Sequence, residues 1–476
     1  MFGRINMVIV MVKCPSCGGE LSYSAKDKKV TCPYCKSVFN PKELKVTAKK
    51  ASVRKDFTTV DGKSFTCSQC GAKLLTFDET AITFCSYCGS QAMIEEKFIK
   101  QAAPDFIIPF KKDKETCIDE YKKYIKSAYF APDYMKDEMV IEKFRGIYMP
   151  YAIYKLGKNG KIKNNGEKYS HHSGNYTYYD KYDIDCDLDA TYDGISFDIS
   201  SKFYDRYSMS IPFDLRESEE FNHNYLLGFY ADTYDVDSTV YDKEAKEMVA
   251  QDINNRLKSN SEFSKYGCPV PKVDLDILDR KIGYFPVYFL AIRDKDNKNV
   301  HYAVINGQTG KIAIDLPIDF KKYLKGSLIL SLIIFIILNF FLLIPPNIVT
   351  WFSVIASFIC LIIASKQKNK INARINLEDD LGLKSVKKEE EKDKDKKEKP
   401  KKAKVPFKVV LALIVPFVIL MINPVEDLFF YIGAIFSLVL IVTSFKSLVE
   451  KQNILVTNKL PQLEKRGGDE QWKRIL

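Results

Sequence analysis

Eight of the twelve cysteines fall before residue 89, in two runs of the same spacing. Cys14 and Cys17 form one Cys-x-x-Cys pair, and Cys32 and Cys35 follow after fourteen residues. Cys67 with Cys70, and Cys85 with Cys88, repeat the arrangement with the same gap. Each pair turns on a tight knuckle, so both sulfurs can reach one ion. Two knuckles then offer four thiolates in a tetrahedron, the donor set of a closed structural zinc site. Two Zn2+ ions are expected, one per run. Gly18, Gly71 and Gly89 follow three of the four knuckles, where a turn needs an unusual backbone angle. The intervening segments suit short hairpins, 19–24 with 29–31 and 72–77 with 81–84. A ribbon of about 25 residues is too small to fold on its own core, so metal binding supplies its folding energy. Each ribbon is expected to fold and unfold by itself. Iron–sulfur sites use different spacings.

The remaining residues must position these clips. A chain of 476 residues exceeds one ordinary domain. Four segments are long and apolar: 326–344, 347–365, 405–422 and 427–445. Each approaches the roughly 20 residues that a helix needs to cross hydrocarbon. Short turns without Lys or Arg join them into two hairpins. Lys321, Lys322 and Lys325 precede the first, lysines crowd the segment between the hairpins, and Lys446 and Lys451 follow the last. The positive-inside rule then predicts a multi-pass protein of the cell membrane with both termini in the cytosol. That compartment keeps thiols reduced and free to hold zinc, which argues against disulfides. The first ten residues read as a start-site artefact or a frayed tail, since Met11 opens directly onto the first clip.

The segment 366–404 carries fifteen basic and nine acidic residues, a surplus of six within the chain's net +11. With little to bury, it reads as solvated and weakly drawn to anionic lipid. Residues 104–318 show two stretches of helical periodicity, around Cys117–Ala128 and Ala245–Leu257, and several of strand alternation. This gives an α+β domain with a turn at Asn306-Gly307 or Thr309-Gly310. It holds twenty-three of the twenty-eight tyrosines, read as a tyrosine-rich sheet surface. Cys117, Cys186, Cys268 and Cys360 read as buried free thiols.

The fold class is therefore multi-domain: two small β zinc ribbons, an α+β soluble domain and four transmembrane α-helices in two hairpins. The order is zinc ribbon 1 (12–40), linker (41–63), zinc ribbon 2 (64–96), cytosolic α+β domain (104–318), transmembrane hairpin 1 (326–365), charged linker (366–404), transmembrane hairpin 2 (405–445) and cytosolic tail (446–476).

Several stretches, "IIPF" (107–110), "YFAPDYM" (129–135), "GIYMPYAIY" (146–154), "LLGFYADTYDVD" (226–237) and "INGQTGKIAIDLP" (305–317), lie behind zinc ribbons and before membrane spans. In this arrangement the chain resembles a bacterial family of membrane-anchored zinc-ribbon proteins, whose ribbon is of the transcription factor IIB type. The resemblance covers most of residues 12–345. Some members are encoded beside relatives of phage shock protein A, which implies a role in membrane stress. No activity is implied. This chain departs from the pattern in having two ribbons and a second hairpin.

No catalytic constellation is legible. Gly62-Lys63-Ser64 ends like a phosphate loop, but Phe57 stands where the pattern needs glycine. His171-His172 lies in a polar stretch and reads as a surface turn. The expectation is a non-enzymatic docking protein facing the cytosol, integral to the bilayer and bound to a protein partner. The alternative is a nucleic-acid-binding regulator tethered at the membrane. Residues 1–103 carry sixteen basic and nine acidic residues, but each four-thiolate zinc site adds about −2, which weakens attraction to phosphate. Two ribbons on a flexible segment could also grip one partner at two points.

Overall fold

The computed structural model describes residues 13–44, 59–76, 84–91, 93–259, 273–294, 299–341, 345–377, 407–456 and 458–459. Ser22–Ser24 pairs antiparallel with Lys29–Thr31, in the register Ser22 to Thr31, and Val38–Phe39 adds a third strand. This small sheet is the whole of the first ribbon. The second ribbon is built otherwise. Its strands Thr59–Cys67, Lys73–Thr76 and Met93–Ala102 belong to a twelve-stranded sheet that also carries the α+β region. Lys73–Thr76 pairs with Thr59–Cys67 on one side and with Tyr230–Asp232 on the other. The hairpin expected over 72–77 and 81–84 does not form as drawn: Phe84 is outside any strand, and residues 77–83 lie outside the described set.

The large sheet is mostly antiparallel. Asp276–Arg293 is its spine, pairing with Arg145–Ser173 and with Asn299–Asn306. Two parallel contacts join Tyr230–Asp232 to Arg145–Ser173 and Phe106–Ile107 to Asp276–Arg293. Helix Lys114–Ser127 starts where Asp113 accepts from the Thr116 amide at 2.8 Å, and it buries Cys117, Tyr121 and Ile125. Helix Asp242–Ser259 buries Ala245, Val249 and Ile253 against Tyr154 and Leu156. The turn after Asn306 spans both expected positions. Asn306 Oδ1 accepts from the Gln308 and Thr309 amides, and Gly310 has φ of 79°. The tyrosines depart from the expected surface. Tyr121, Tyr148, Tyr151, Tyr154, Tyr241, Tyr284 and Tyr302 are fully buried and interlock with phenylalanines, edge-on or stacked, and the hydroxyls of Tyr121, Tyr154 and Tyr241 donate to Met135, Ser238 and Asp205.

Strands Arg145–Ser173 and Tyr176–Asp198 form one long hairpin that turns at Gly174, φ 62°. Beyond residue 158 most of its described residues are exposed. Sixteen further residues at about 3.3 Å each carry it roughly 50 Å outward. Tyr169, Tyr176, Tyr178 and Tyr179 are exposed near its tip, where His171 stacks on Tyr178 at 4.6 Å. His172 bonds Thr177 at 3.0 Å; the His-His pair, expected in a surface turn, lies in the strand just before it, paired with Tyr178 and Thr177.

Among the described residues four helices follow: Phe320–Phe341, Pro346–Leu377, Phe407–Ile422 and Asp427–Leu455. Two contain stretches long and apolar enough to cross a membrane, Pro346–Ile371 and Asp427–Ile454. Only 17% and 22% of their most apolar windows are buried, unlike the core helices of a soluble protein. The other two expected spans do not meet the same standard among the described residues. Residues 342–344 lie outside the described set, and Phe407–Ile422 has sixteen residues interrupted by Pro416. The charged segment expected from 366 begins as helix, since Pro346–Leu377 runs through its first twelve residues; 378–406 lie outside the described set.

The helices meet the sheet region at defined points. Asn453 accepts from the Ile318 amide at 2.8 Å and donates to the Ile318 carbonyl at 2.9 Å. His301 Nδ1 lies 2.9 Å from the Val456 carbonyl, and Asn458–Lys459 pairs with Asn299–Val300. Lys368 reaches the Ser447 hydroxyl at 2.9 Å. At the opposite end, the Thr350 hydroxyl donates to the Phe430 carbonyl at 2.8 Å.

Candidate metal centres

All eight predicted ligands converge, four and four. In the first cluster Cys14 and Cys35 sulfurs lie 3.6 Å apart, and Cys17 and Cys32 also 3.6 Å. In the second, Cys67 and Cys88 are 3.6 Å apart and Cys70 and Cys85 3.5 Å. Within each cluster every pair lies inside 4.8 Å. A tetrahedron with arms of about 2.3 Å has edges of about 3.8 Å, so both cages fit zinc.

The backbone fixes each knuckle in the same way. The amide four residues after the first cysteine donates to that cysteine's carbonyl: Gly18 to Cys14, Lys36 to Cys32, Gly71 to Cys67 and Gly89 to Cys85, at 2.7–2.9 Å. Each donor has a positive φ, between 62° and 74°. Glycine adopts that conformation freely; Lys36 takes it at a cost.

Four thiols this close cannot all ionise without a cation. The S–H groups of Cys70, Cys85 and Cys88 stabilise a charge on Cys67 and pull its pKa down. That charge in turn pushes Cys85 up. A dication removes the conflict, because it binds the thiolates and releases their protons. At the exposed edge of the first cluster, the Ser37 hydroxyl and amide beside Cys35 bring its thiol down to about 6.

The surroundings of the two cages differ. In the first, Cys17 and Cys35 are exposed, and so are Pro15, Ser16 and Pro33. Tyr34 is 71% exposed with its ring lying over Gly19, where a β-carbon would meet it at 2.7 Å. The ribbon rests on the sheet region by its opposite side. The Tyr23 amide donates to the Leu227 carbonyl, and its ring meets Tyr225 edge-on at 5.3 Å. Asn224 donates to the carbonyls of Pro41 and Leu44 at 2.7 and 3.0 Å.

In the second cage all four cysteines are buried. Its knuckle residue Tyr87 is buried and donates to Asp232 at 2.6 Å. Ser200 donates to the same carboxylate oxygen at 2.5 Å. Burial raises the Asp232 pKa to about 7, against the lowering pull of those two bonds. Arg293 donates to the Cys88 carbonyl at 2.6 Å, and Arg145 lies over the Phe84 ring at 4.6 Å. Sequence reasoning named the ligands but not Tyr87, Asp232, Ser200 or Asn224. Asp232 sits 145 residues from Tyr87, with no local spacing to signal the pair. Of this ribbon's two knuckles, Ser86 and Tyr87 are buried, whereas Ser68 and Gln69 stay exposed. Of the remaining cysteines, Cys117 is buried and Cys360 half-buried; the Cys186 side chain and Cys268 lie outside the described set.

No family model matches the chain. It is similar to the uncharacterised protein YdjG of Bacillus subtilis (strain 168), 26% identical over 323 residues. The match spans 66% of this chain and 92% of that protein. No solved structure matches.

Proposed function

We propose that the protein is a non-enzymatic docking head held at the membrane, which presents its first zinc ribbon to a protein partner in the cytosol. One observation carries the reading. Of two cages with the same spacing, the first leaves two of its cysteines, both knuckles and Tyr34 exposed, whereas the second buries all four cysteines and its Ser86-Tyr87 knuckle. A rigid exposed knuckle loses little freedom on binding, because the metal has already ordered it. Each cage holds one zinc ion as a structural element and performs no chemistry on a substrate. The cage's thiolates add negative charge at the docking face, which favours a protein over a phosphate backbone. Membrane stress is the setting that the family resemblance suggests.

The anchor is four spans in two hairpins, with both termini cytosolic. The contacts support this. Ile318 bonds Asn453, and Lys368 bonds Ser447, so the start of the first helix and the ends of the second and fourth share one end. Thr350 and Phe430 meet at the other end. An even number of crossings satisfies both, and the lysines gather at the first end as the positive-inside rule requires.

The test is site-specific photocrosslinking in intact cells. A crosslinker at Tyr34 should yield one discrete protein adduct. The same probe at Gln69, an exposed knuckle residue of the second ribbon, should not yield it. Nucleic-acid adducts at Tyr34 would replace this reading with the tethered regulator.

A further inference from the structure

A cavity of about 440 Å³ lies where the apolar helices meet the sheet region. We propose that it binds one anionic phospholipid of the cytosolic leaflet; the inference rests on the membrane reading above. Ile371, Phe445 and Leu448 form its apolar wall, and Gln367, Lys370 and Gln452 line it with polar ends. Its volume is within the ordinary range of ligand sites, about 300–1,000 Å³.

The depth is right for a headgroup. The apolar runs end at Ser365 and Phe445, and Lys366 and Lys446 come next. Lys370 lies five residues past Ser365, about 7.5 Å along a helix. The polar layer of a leaflet is about 5–8 Å thick. Lys370 therefore sits within that layer while Phe445 and Leu448 lie at the edge of the hydrocarbon. The charge is right as well. The lining contains one ammonium and no carboxylate. Lys368 is held by Ser447, Lys446 by Glu450 and Lys322 by Asp133, whereas among the described residues no hydrogen bond or ion pair involves Lys370, the one cation that lines the cavity. A phosphodiester would give Lys370 a counter-charge, the two glutamine amides would donate to its oxygens, and an acyl chain would follow the apolar wall. A zwitterionic lipid offers the same chain but brings a second cation to the rim.

The experiment uses the full chain in nanodiscs of phosphatidylglycerol and phosphatidylcholine, with retained lipid read by native mass spectrometry. One phosphatidylglycerol should remain bound, at least five-fold in excess over phosphatidylcholine. Lys370→Gln should abolish the preference. Leu448→Trp, which fills the cavity and keeps the charge, should abolish retention of either lipid. Equal retention of both lipids by the wild type, or a preference unchanged by Lys370→Gln, overturns the proposal. Zinc content and melting temperature verify that each variant is folded. Extraction of the wild type from membranes by alkaline carbonate would instead overturn the membrane reading, and the lipid site with it.

Discussion

The two ribbons carry the same ligand spacing and meet opposite fates. The first closes its own three-stranded sheet and leans on the larger domain through Tyr23 and Asn224. The second donates strands to the twelve-stranded sheet and locks its knuckle tyrosine onto Asp232. The local chemistry of the cages is alike, so the difference lies in what the flanking segments can pair with. Leu74 and Leu75, both buried, continue the hydrophobic face of the sheet. In the first ribbon, Ser22–Ser24 has one buried residue between two half-buried serines, enough for a small core and not for a central strand. A zinc ribbon can thus keep its own small sheet or become a cornerstone of a larger one, depending on one or two flanking strands.

The largest expected effect breaks the comparison directly. Cys85→Ser should unfold much of the sheet region as well as its own ribbon, because structural zinc contributes on the order of 10 kcal/mol. Cys17→Ser should lose one zinc and leave the melting of the sheet region nearly unchanged. Metal analysis with limited proteolysis of both variants is the check; equal damage from the two would deny the asymmetry.

The next effect is on pH dependence. Asp232 holds its proton up to about pH 7 in the folded state, against the 3.8 of an unperturbed carboxyl. Its contribution to stability is therefore fully present below about pH 4 and is lost as pH rises through 7. Asp232→Asn should flatten the fall in stability of the zinc-loaded protein between pH 5.5 and 8, by at most about 2 kcal/mol. Denaturant titrations at several pH values measure it, and a parallel curve for the variant would count against the assignment.

A smaller effect loosens the first ribbon. Asn224→Ala removes the donors to Pro41 and Leu44 and should cost about 1–2 kcal/mol. Hydrogen exchange should rise across 13–44 and stay unchanged across the second ribbon. The smallest is a gain. Lys36 occupies the left-handed position that glycine takes in the other three knuckles. Lys36→Gly should stabilise the first ribbon by up to about 1 kcal/mol, read as slower loss of zinc to a chelator.

The sequence by itself determined the metal ligands, because a Cys-x-x-Cys knuckle is a local device whose spacing is its geometry. It also determined the two long apolar helices, whose length and lack of charge need no partner to be read. The helix around Cys117–Ala128 and the turn after Asn306 were legible for the same reason, since apolar periodicity and turn chemistry act within a few residues. Tertiary structure alone decided which ribbon is enclosed, that the tyrosines form the core, and where the helix ends join the sheet region. Those outcomes depend on pairs such as Tyr87 with Asp232 and Ile318 with Asn453, far apart in the chain. Burial makes such contacts strong, and burial is a property of the whole fold, which no local spacing of residues encodes.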